Sequence, residues 1–516
     1  MRRHSAAATT VQIARSVLAR DGLCSGMDRF WAWYAERSAR VVHRTERIPL
    51  DALKGWSRHP VTGTISHHTG RFFSIEGLDV HIPGAPVPRW SQPIVNQPEV
   101  GILGFLVKER GGILHCLVQA KFEPGNPGGL QLSPTVQATR SNYTRVPGGK
   151  TIPSWSTSAT PPDRQVVADV LQSGQGSWFY RKRNRNMIVQ VFDEVPLRED
   201  FHWLTLGQLH RLLGVENLVN MDARTVLACL PSRARERARW PTRSPPELTA
   251  PGASAHPVVP SLGPTAAGLR WTPGFHHSLV RSCAAAEGSL HSTVDIVSWI
   301  ATCAAGPMWS PARQANSLPH WIERDGVIAT RAGRFLEVMA VDVTAASREV
   351  PGWSQPMIEP KGRGVAAFLV RRIDGVLHAL GTARVEPGYV DVVEIAPTVQ
   401  CTPGSLHALP AGARPRFLDA VLEAPPEAAC ATTTDLAEEG GRFHHAVNTY
   451  MIVEADDDIP DGGEFRWLTL HQLVELLRHS HYVNVQARTL VACLHSLSVG
   501  HRPSTRSAVP SAPPRR

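Results

Sequence analysis

A block of 32 residues occurs twice in this chain, and that repetition sets the terms for any fold. Phe201–Ser232 reads FHWLTLGQLHRLLGVENLVNMDARTVLACLPS, and Phe465–Ser496 reads FRWLTLHQLVELLRHSHYVNVQARTLVACLHS. At an offset of 264, 18 of the 32 aligned positions are identical. The likeness continues upstream at an offset of 263. Gly70-Arg71-Phe72 matches Gly333-Arg334-Phe335, and Trp90-Ser91-Gln92-Pro93 matches Trp353-Ser354-Gln355-Pro356. Glu123-Pro124-Gly125 matches Glu386-Pro387-Gly388, and Pro134-Thr135-Val136-Gln137 matches Pro397-Thr398-Val399-Gln400. Each copy is far longer than a solenoid unit of roughly 20–50 residues, so the chain reads as a duplicated globular domain.

The remaining length divides around those copies. The first is assigned to residues 27–230 and the second to 271–497. Between them, 231–270 is dense in Pro, Ser, Ala and Arg. It carries too few apolar side chains to offset the entropy of ordering, which predicts a linker. The segment 498–516 reads as a disordered tail for the same reason, and 1–26 as a flexible N-terminal segment. Lys plus Arg exceed Asp plus Glu by 54 to 45, a net +9. Part of that excess lies in the linker and tail and has no fixed geometry. The balance suits an anionic partner, but no zinc finger or RNA-binding aromatic motif accompanies it, so no nucleic-acid partner is expected. No run of 18 apolar residues predicts a membrane span. Arg2 and Arg3 precede no apolar signal-peptide stretch. The eight cysteines include no CxxC pair and read as reduced core residues, which places the chain in the cytoplasm.

Within each copy the same elements are predicted. Helices are expected at Met27–Arg37 and Thr293–Cys303. Runs rich in Val, Ile, Leu and Phe, bounded by glycines, read as hairpin strands at Gly101–Lys108 with Leu114–Phe122, and at Gly364–Arg371 with Leu377–Val385. Met187–Phe192 and Tyr450–Glu454 read as a further strand. Thr205 and Thr469 are placed to cap a helix whose Leu206, Leu209, Leu212 and Leu213 share one face. A short helix follows from Asn220 to Leu230. The fold class is α+β, occurring twice.

Several chemistries find no carrier. The sequence has no GxGxxG after a strand, no GxxxxGK[ST] loop, no HExxH and no GxSxG elbow. Adjacent histidines such as His67-His68 point to opposite sides of a strand and are weak evidence for a metal. The two copies serve as mutual controls. His115/His378, Trp203/Trp467, Asn220/Asn484 and Arg224/Arg488 are retained in both, which favours shared folding; the two arginines could also meet across an interface or hold a loop. The first copy alone carries Arg140-Ser141-Asn142-Tyr143-Thr144-Arg145 and Tyr180-Arg181-Lys182-Arg183-Asn184-Arg185-Asn186. Cations beside Tyr and Asn suit a phosphate ester, although a solvated basic loop reads equally well. The first copy is therefore the expected seat of chemistry, with the second degenerate or building an interface.

Longer motifs carry a family resemblance: Trp90-Ser91-Gln92-Pro93, Gln119-Ala120-Lys121-Phe122-Glu123-Pro124-Gly125-Asn126, Leu132 through Thr139, Asn142-Tyr143, Arg183 through Met187, and Gly440-Gly441-Arg442-Phe443-His444. With them the chain resembles the sugar-nucleotide 2,3-dehydratases of deoxysugar biosynthesis in antibiotic-producing bacteria. That resemblance implies a tandem duplication of a Nudix-like mixed-sheet domain, lacking Nudix hydrolase chemistry, in a homodimer. It implies a lyase that removes water across C2 and C3 of a dTDP-4-keto-6-deoxyhexose, with no metal or other cofactor. The 3,4-diketo-2,6-dideoxyhexose product would pass to an NADPH-dependent 3-ketoreductase. A noncatalytic nucleotide-sugar-binding or dimerisation scaffold is the alternative, and a Nudix-like pyrophosphatase a weaker one.

The chemistry asks for a base at C3, donors near the C4 oxygen and an acid at the C2 hydroxyl. Glu123 or His115 is the candidate base. Lys121 and Tyr143 are candidates for the enolate or the leaving group. Lys121 lies two residues before Glu123, so in a strand both project from one face. Arg140, Arg145, Lys182 and Arg183, with Asn184 beside them, are candidates for gripping the diphosphate. Trp90 or Trp178 could cover the base or the sugar, though each also reads as core.

Overall fold

The computed structural model describes residues 6–19, 26–40, 43–139, 164–230, 274–284, 288–305, 310–315, 318–345, 350–424, 430–455, 459 and 461–498. The expected linker lies outside the described residues, as does nearly all of the expected tail. Two seven-stranded sheets dominate the rest, one per copy. In the first, the strand order is Arg164–Ser173, Arg183–Val191, Gly101–Arg110, Ile113–Phe122 and Phe201–Thr205. Leu130–Ser133 and Val136–Ala138 add to its middle. The second repeats this order from Cys430–Ala437 to Phe465–Thr469. In each sheet one pair is parallel, with Asn184 opposite Gly101 and Asn448 opposite Gly364. The registers agree because the apolar alternation and the hairpin turns agree. Gly111-Gly112 closes the first hairpin and Asp374-Gly375 the second, all four with positive φ, as the tight turn of a twisted hairpin requires.

Two smaller sheets join the copies by exchange. His43–Ile48 precedes the first copy's strands but pairs antiparallel with Leu336–Ala345 of the second. Ser310–Ala315 does the reverse, pairing with Ser74–His81 of the first. Leu50, Ile65, Phe73, Ile75 and Val95 form one apolar cluster with Ile328, Val338, Ile358 and Phe443. The copies therefore share a core and cannot be read as separable beads.

Helices close the outer faces. Leu206–Leu212 is capped at Thr205 by a box in which the hydroxyl and Gln208 satisfy each other's backbone donors, and Thr469 with Gln472 repeats it. All four predicted leucines of that face are buried. The predicted helices are found as Met27–Arg40, Thr293–Ala304 and Met221–Ala228. The segment 1–26, expected to be flexible, instead contains a helix at Ala6–Leu18. Its Ile13 and Val17 enter the first core, and Ser16 Oγ accepts from the Leu206 amide at 2.8 Å. Its apolar spacing was hidden by neighbouring alanines and threonines, which bury no large surface of their own.

Arg224 and Arg488 meet the opposite copy, as one of the two readings held. Arg224 donates to the Val219 and Ala437 carbonyls and to Thr489 Oγ1. Arg488 donates to the Val483 and Ser173 carbonyls and to Thr225 Oγ1. Each buried guanidinium thus ties its own loop to the other copy.

Candidate active site

The turn Glu123-Pro124-Gly125-Asn126 leaves the end of strand Ile113–Phe122 and is gripped by the second copy. The Gly125 amide donates to the Gly440 carbonyl at 2.8 Å, and the His445 amide donates to the Gly125 carbonyl at 2.9 Å. A Cβ on Gly125 would lie 1.9 Å from the Phe443 oxygen, and one on Gly440 1.9 Å from Asn126 Oδ1. Both glycines are demanded by this approach. The reciprocal contact joins Gly388 of the second copy to Gly176 of the first at 2.7 Å.

A cleft, partly open to solvent, lies beside the first of these contacts. The first copy contributes Lys121, Glu123, Gln137, Lys182, Asn184 and Asp222. The second copy contributes Trp353, Gln355, Glu439, Gly441 and Arg442. Glu123 Oε1 accepts from Gln137 Nε2 at 2.7 Å, and Lys121 Nζ stands 3.9 Å from the same oxygen. Lys121 also donates to the Gln137 carbonyl at 3.0 Å. Asn220, which caps helix Met221–Ala228, donates to Gln137 Oε1 at 3.0 Å. One amide therefore links the helix start to the glutamate.

The cleft concentrates charge that water does not fully relieve. Lys182 is 4% exposed and donates to the Glu99 carbonyl; burial pulls its ammonium down to about 8. Asp222 is buried, and among the described residues its Oδ1 has no hydrogen-bond partner. Burial, then the charges of Glu439 and Glu123, hold Asp222 well above the ordinary aspartate range. Burial pushes Glu439 up to about 7, against the pull of Arg442. Arg442 donates from Nε to Gln97 Oε1 at 3.1 Å and lies 4.1 Å from the Phe73 ring centre. Such a site can orient an anionic polar ligand and exchange protons near neutral pH.

The sequence candidates divide on this geometry. Lys121, Glu123, Lys182 and Asn184 come together in the cleft. His115 does not. It is buried eight residues before Glu123, with Nδ1 3.0 Å from the Ile113 carbonyl; its twin His378 makes the same contact to Val376 and accepts from the Leu290 amide at Nε2. Arg183 points to the other side of its strand from Lys182 and Asn184, and pairs with Asp391 of the second copy at 3.0 Å. Trp90 packs with Leu78, Val80 and Ile94, and Trp178 lies edge-on to Phe443 at 4.7 Å. Tyr143, Arg140 and Arg145 lie outside the described residues.

Sequence reasoning missed Asp222, Glu439, Arg442 and Trp353. Asp222 was visible as the acid at the start of the repeated second helix, whose twin, Gln486, is uncharged. The others were passed over because the second copy was not expected to furnish the first copy's site. The Trp-Ser-Gln-Pro motif shows why the exchange matters. Trp353 and Gln355 line the cleft, with Gln355 Nε2 on the Gly441 carbonyl at 2.8 Å. Trp90 and Gln92 make the equivalent contact to Ser177, on the loop that grips the second copy.

The sequence that builds this cleft has relatives. The model of the family described as NDP-hexose 2,3-dehydratase matches residues 27–230 and 293–494, and the chain belongs to that family. It is 46% identical over 480 residues to a dTDP-4-dehydro-6-deoxy-alpha-D-glucopyranose 2,3-dehydratase of Saccharopolyspora spinosa, covering 92% of this chain and 93% of that protein. Proteins of the same description match from Amycolatopsis orientalis, at 41% over 95% of each chain, and from Streptomyces violaceoruber, at 43% over 91% of this chain and 97% of the relative.

Proposed function

We propose that this protein eliminates water across C2 and C3 of dTDP-4-keto-6-deoxyglucose, giving the 3,4-diketo-2,6-dideoxyhexose nucleotide. The observation that carries the reading at the level of residues is the pairing of Glu123 with Lys121 inside the charged cleft. The C4 ketone acidifies the C3 hydrogen. Glu123 takes that proton, with its Oε1 held by Gln137. The electron pair moves to the C4 oxygen, where the ammonium of Lys121 offsets the developing charge. The C2–O bond then breaks, its oxygen leaving as water after receiving a proton. The enol so formed loses its hydroxyl proton and gains one at C2, becoming the C3 ketone. No net oxidation occurs. Lys182, Arg442 and Asn184 suit the diphosphate, and the Trp353 face suits the sugar or the thymine.

The finer features belong to the same reading. Each copy is a Nudix-like unit, supported by its mixed sheet between helices. The chain works as a cytoplasmic homodimer in antibiotic deoxysugar assembly. Its unstable diketone is drawn off by a 3-ketoreductase that delivers hydride from NADPH. The test is incubation with dTDP-4-keto-6-deoxyglucose, NADPH and such a reductase. A dideoxy product reduced at C3 is expected; unchanged substrate or released dTMP would overturn the reading.

A further inference from the structure

The dehydration needs two proton carriers, and Glu123 accounts for one. We propose that the second copy supplies the other: Glu439 is the acid that protonates the departing C2 hydroxyl, and Asp222 is the positioning residue that keeps its proton in place. The inference rests on the dehydratase reading and assigns one of its steps.

Three observations converge on Glu439. It lines the cleft together with Glu123, although it enters from the other copy. Its place relative to Glu123 is fixed by one interlock, since Gly125, two residues after Glu123, bonds Gly440, the residue after Glu439. The two carboxyl groups differ in their surroundings. Glu123 accepts from Gln137, whereas among the described residues no side chain donates a hydrogen bond to Glu439. A carboxyl group without donors, facing other carboxylates, favours the protonated form. Asp222 is 4% exposed, and among the described residues its Oδ1 is unpartnered at the cleft wall. An orphaned acid there is costly unless it shares a proton with a neighbour. The charged groups facing Glu439 are Asp222 on its helix, Lys121 on its strand, Glu123 on the turn that follows, Lys182, and Arg442 on its own loop. Glu439 held near 7 agrees with an acid that works at neutral pH.

The cycle closes. The Glu439 O–H bond breaks as the C2 oxygen gains that proton and leaves with its electron pair as water. The Glu439 carboxylate next takes the proton of the C3 enol, while Glu123 returns its proton to C2. Both acids end as they began, and no electrons are gained or lost.

Isotope exchange separates the two carriers. In D2O, Glu439→Gln still removes and returns the C3 hydrogen, so recovered substrate gains deuterium at C3, while water loss falls by about 10²–10⁴-fold. Glu123→Gln loses exchange and elimination together. Retention of dTDP affinity by both variants shows that the cleft is intact, and Glu439→Asp serves as a second probe if the amide variant does not fold. Asp222→Asn removes the carboxyl group with which Glu439 shares its proton. Its rate therefore falls off with rising pH from a lower pH than in the parent. Elimination by Glu439→Gln within tenfold of the parent, loss of its exchange together with elimination, or an unmoved Asp222→Asn pH limb would each overturn the assignment. If the parent itself releases no water, the dehydratase reading fails instead.

Discussion

The cleft of the first copy and the matching place in the second are built on one frame and differ in charge. The first holds Lys121, Glu123, Lys182, Asp222, Glu439 and Arg442. The residues at the corresponding positions of the second are Arg384, Glu386, Ala446, Gln486, Gln175 and Trp178. Six ionisable side chains have become two, and those two are bonded to each other, Arg384 Nε to Glu386 Oε1 at 2.8 Å. Tyr389 stands where the first copy has Asn126, its ring lying where a Cβ on Gly176 would come within 2.4 Å. The supporting bonds survive: Gln400 still donates to Glu386 and Asn484 to Gln400. Retained scaffold with discarded charge separates what the fold needs from what the chemistry needs. The amide and the helix cap belong to the fold. Uncompensated charge is the costly feature, and at these six positions only the first copy bears it.

The sharpest way to break this contrast is to make the same change on both sides. Glu123→Gln is expected to lower kcat by about 10²–10⁴-fold, the usual size of a lost proton-transfer group. Glu386→Gln is expected to leave turnover within about threefold while lowering the melting temperature, because Arg384 loses its partner inside the protein. Comparable losses of kcat in both variants, measured with coupled reductase, would show that the second copy also carries out chemistry.

The joint between the copies is tested next. Arg488→Ala removes a buried guanidinium bonded to two carbonyls and Thr225 Oγ1, leaving a void and unpaired acceptors. Arg224→Ala does the same from the other side. Each is expected to cost about 3–5 kcal/mol in denaturant unfolding. Equal costs would match the symmetry of the contacts, and a loss below about 1 kcal/mol would refute the role assigned to the pair.

How much of this was legible from sequence follows the same division. Duplication, the capped helix after Thr205, the paired strands and the shared face of Lys121 and Glu123 all rest on local pattern, and each is found. The helix at Ala6–Leu18 was missed because Thr9, Thr10 and the alanines dilute its apolar spacing. The composite site was missed for a deeper reason. Nothing local in His43–Ile48 says that it pairs with a strand 290 residues or more away, at Leu336–Ala345. Without that exchange, Trp90 looks like the cleft tryptophan of the first copy. With it, Trp353 is. Arg183 could have been set aside from sequence alone, since in a strand it alternates with Lys182 and Asn184.

That correction makes a third comparison. Trp353→Ala is expected to raise KM for the nucleotide sugar by about tenfold, the scale of one lost aromatic contact of about 1.4 kcal/mol, with kcat nearly kept. Trp90→Ala, tested in parallel, is expected to leave KM unchanged. The reverse ranking would return the first copy's motif to the first copy's cleft.

The smallest effect is on stability against pH, and it follows from charge that has no structural purpose. The carboxyl group of Glu439 sits at about 7 in the folded protein and near 4.5 when exposed. An acid whose folded value is raised binds more protons folded than unfolded between those limits. It therefore adds stability as pH falls from about 7 toward 4.5, and that stability is lost as pH rises through 7. Glu439→Gln abolishes the titration. Because the cleft admits water, the gain at pH 8 over the parent is expected to be only about 1 kcal/mol. Glu394 in the second copy is also raised, to about 8, by burial, with its Oε2 held by Ser173 at 2.7 Å. It lies apart from the cleft and follows the same sign. Glu394→Gln is accordingly expected to stabilise the protein above pH 8 without changing kcat, whereas Glu439→Gln stabilises and inactivates together. Urea midpoints at pH 5 and pH 8, read beside turnover for both variants, test the distinction. Stabilisation by neither would mean that these acids are not held protonated by burial, and loss of kcat in Glu394→Gln would extend the chemistry into the second copy.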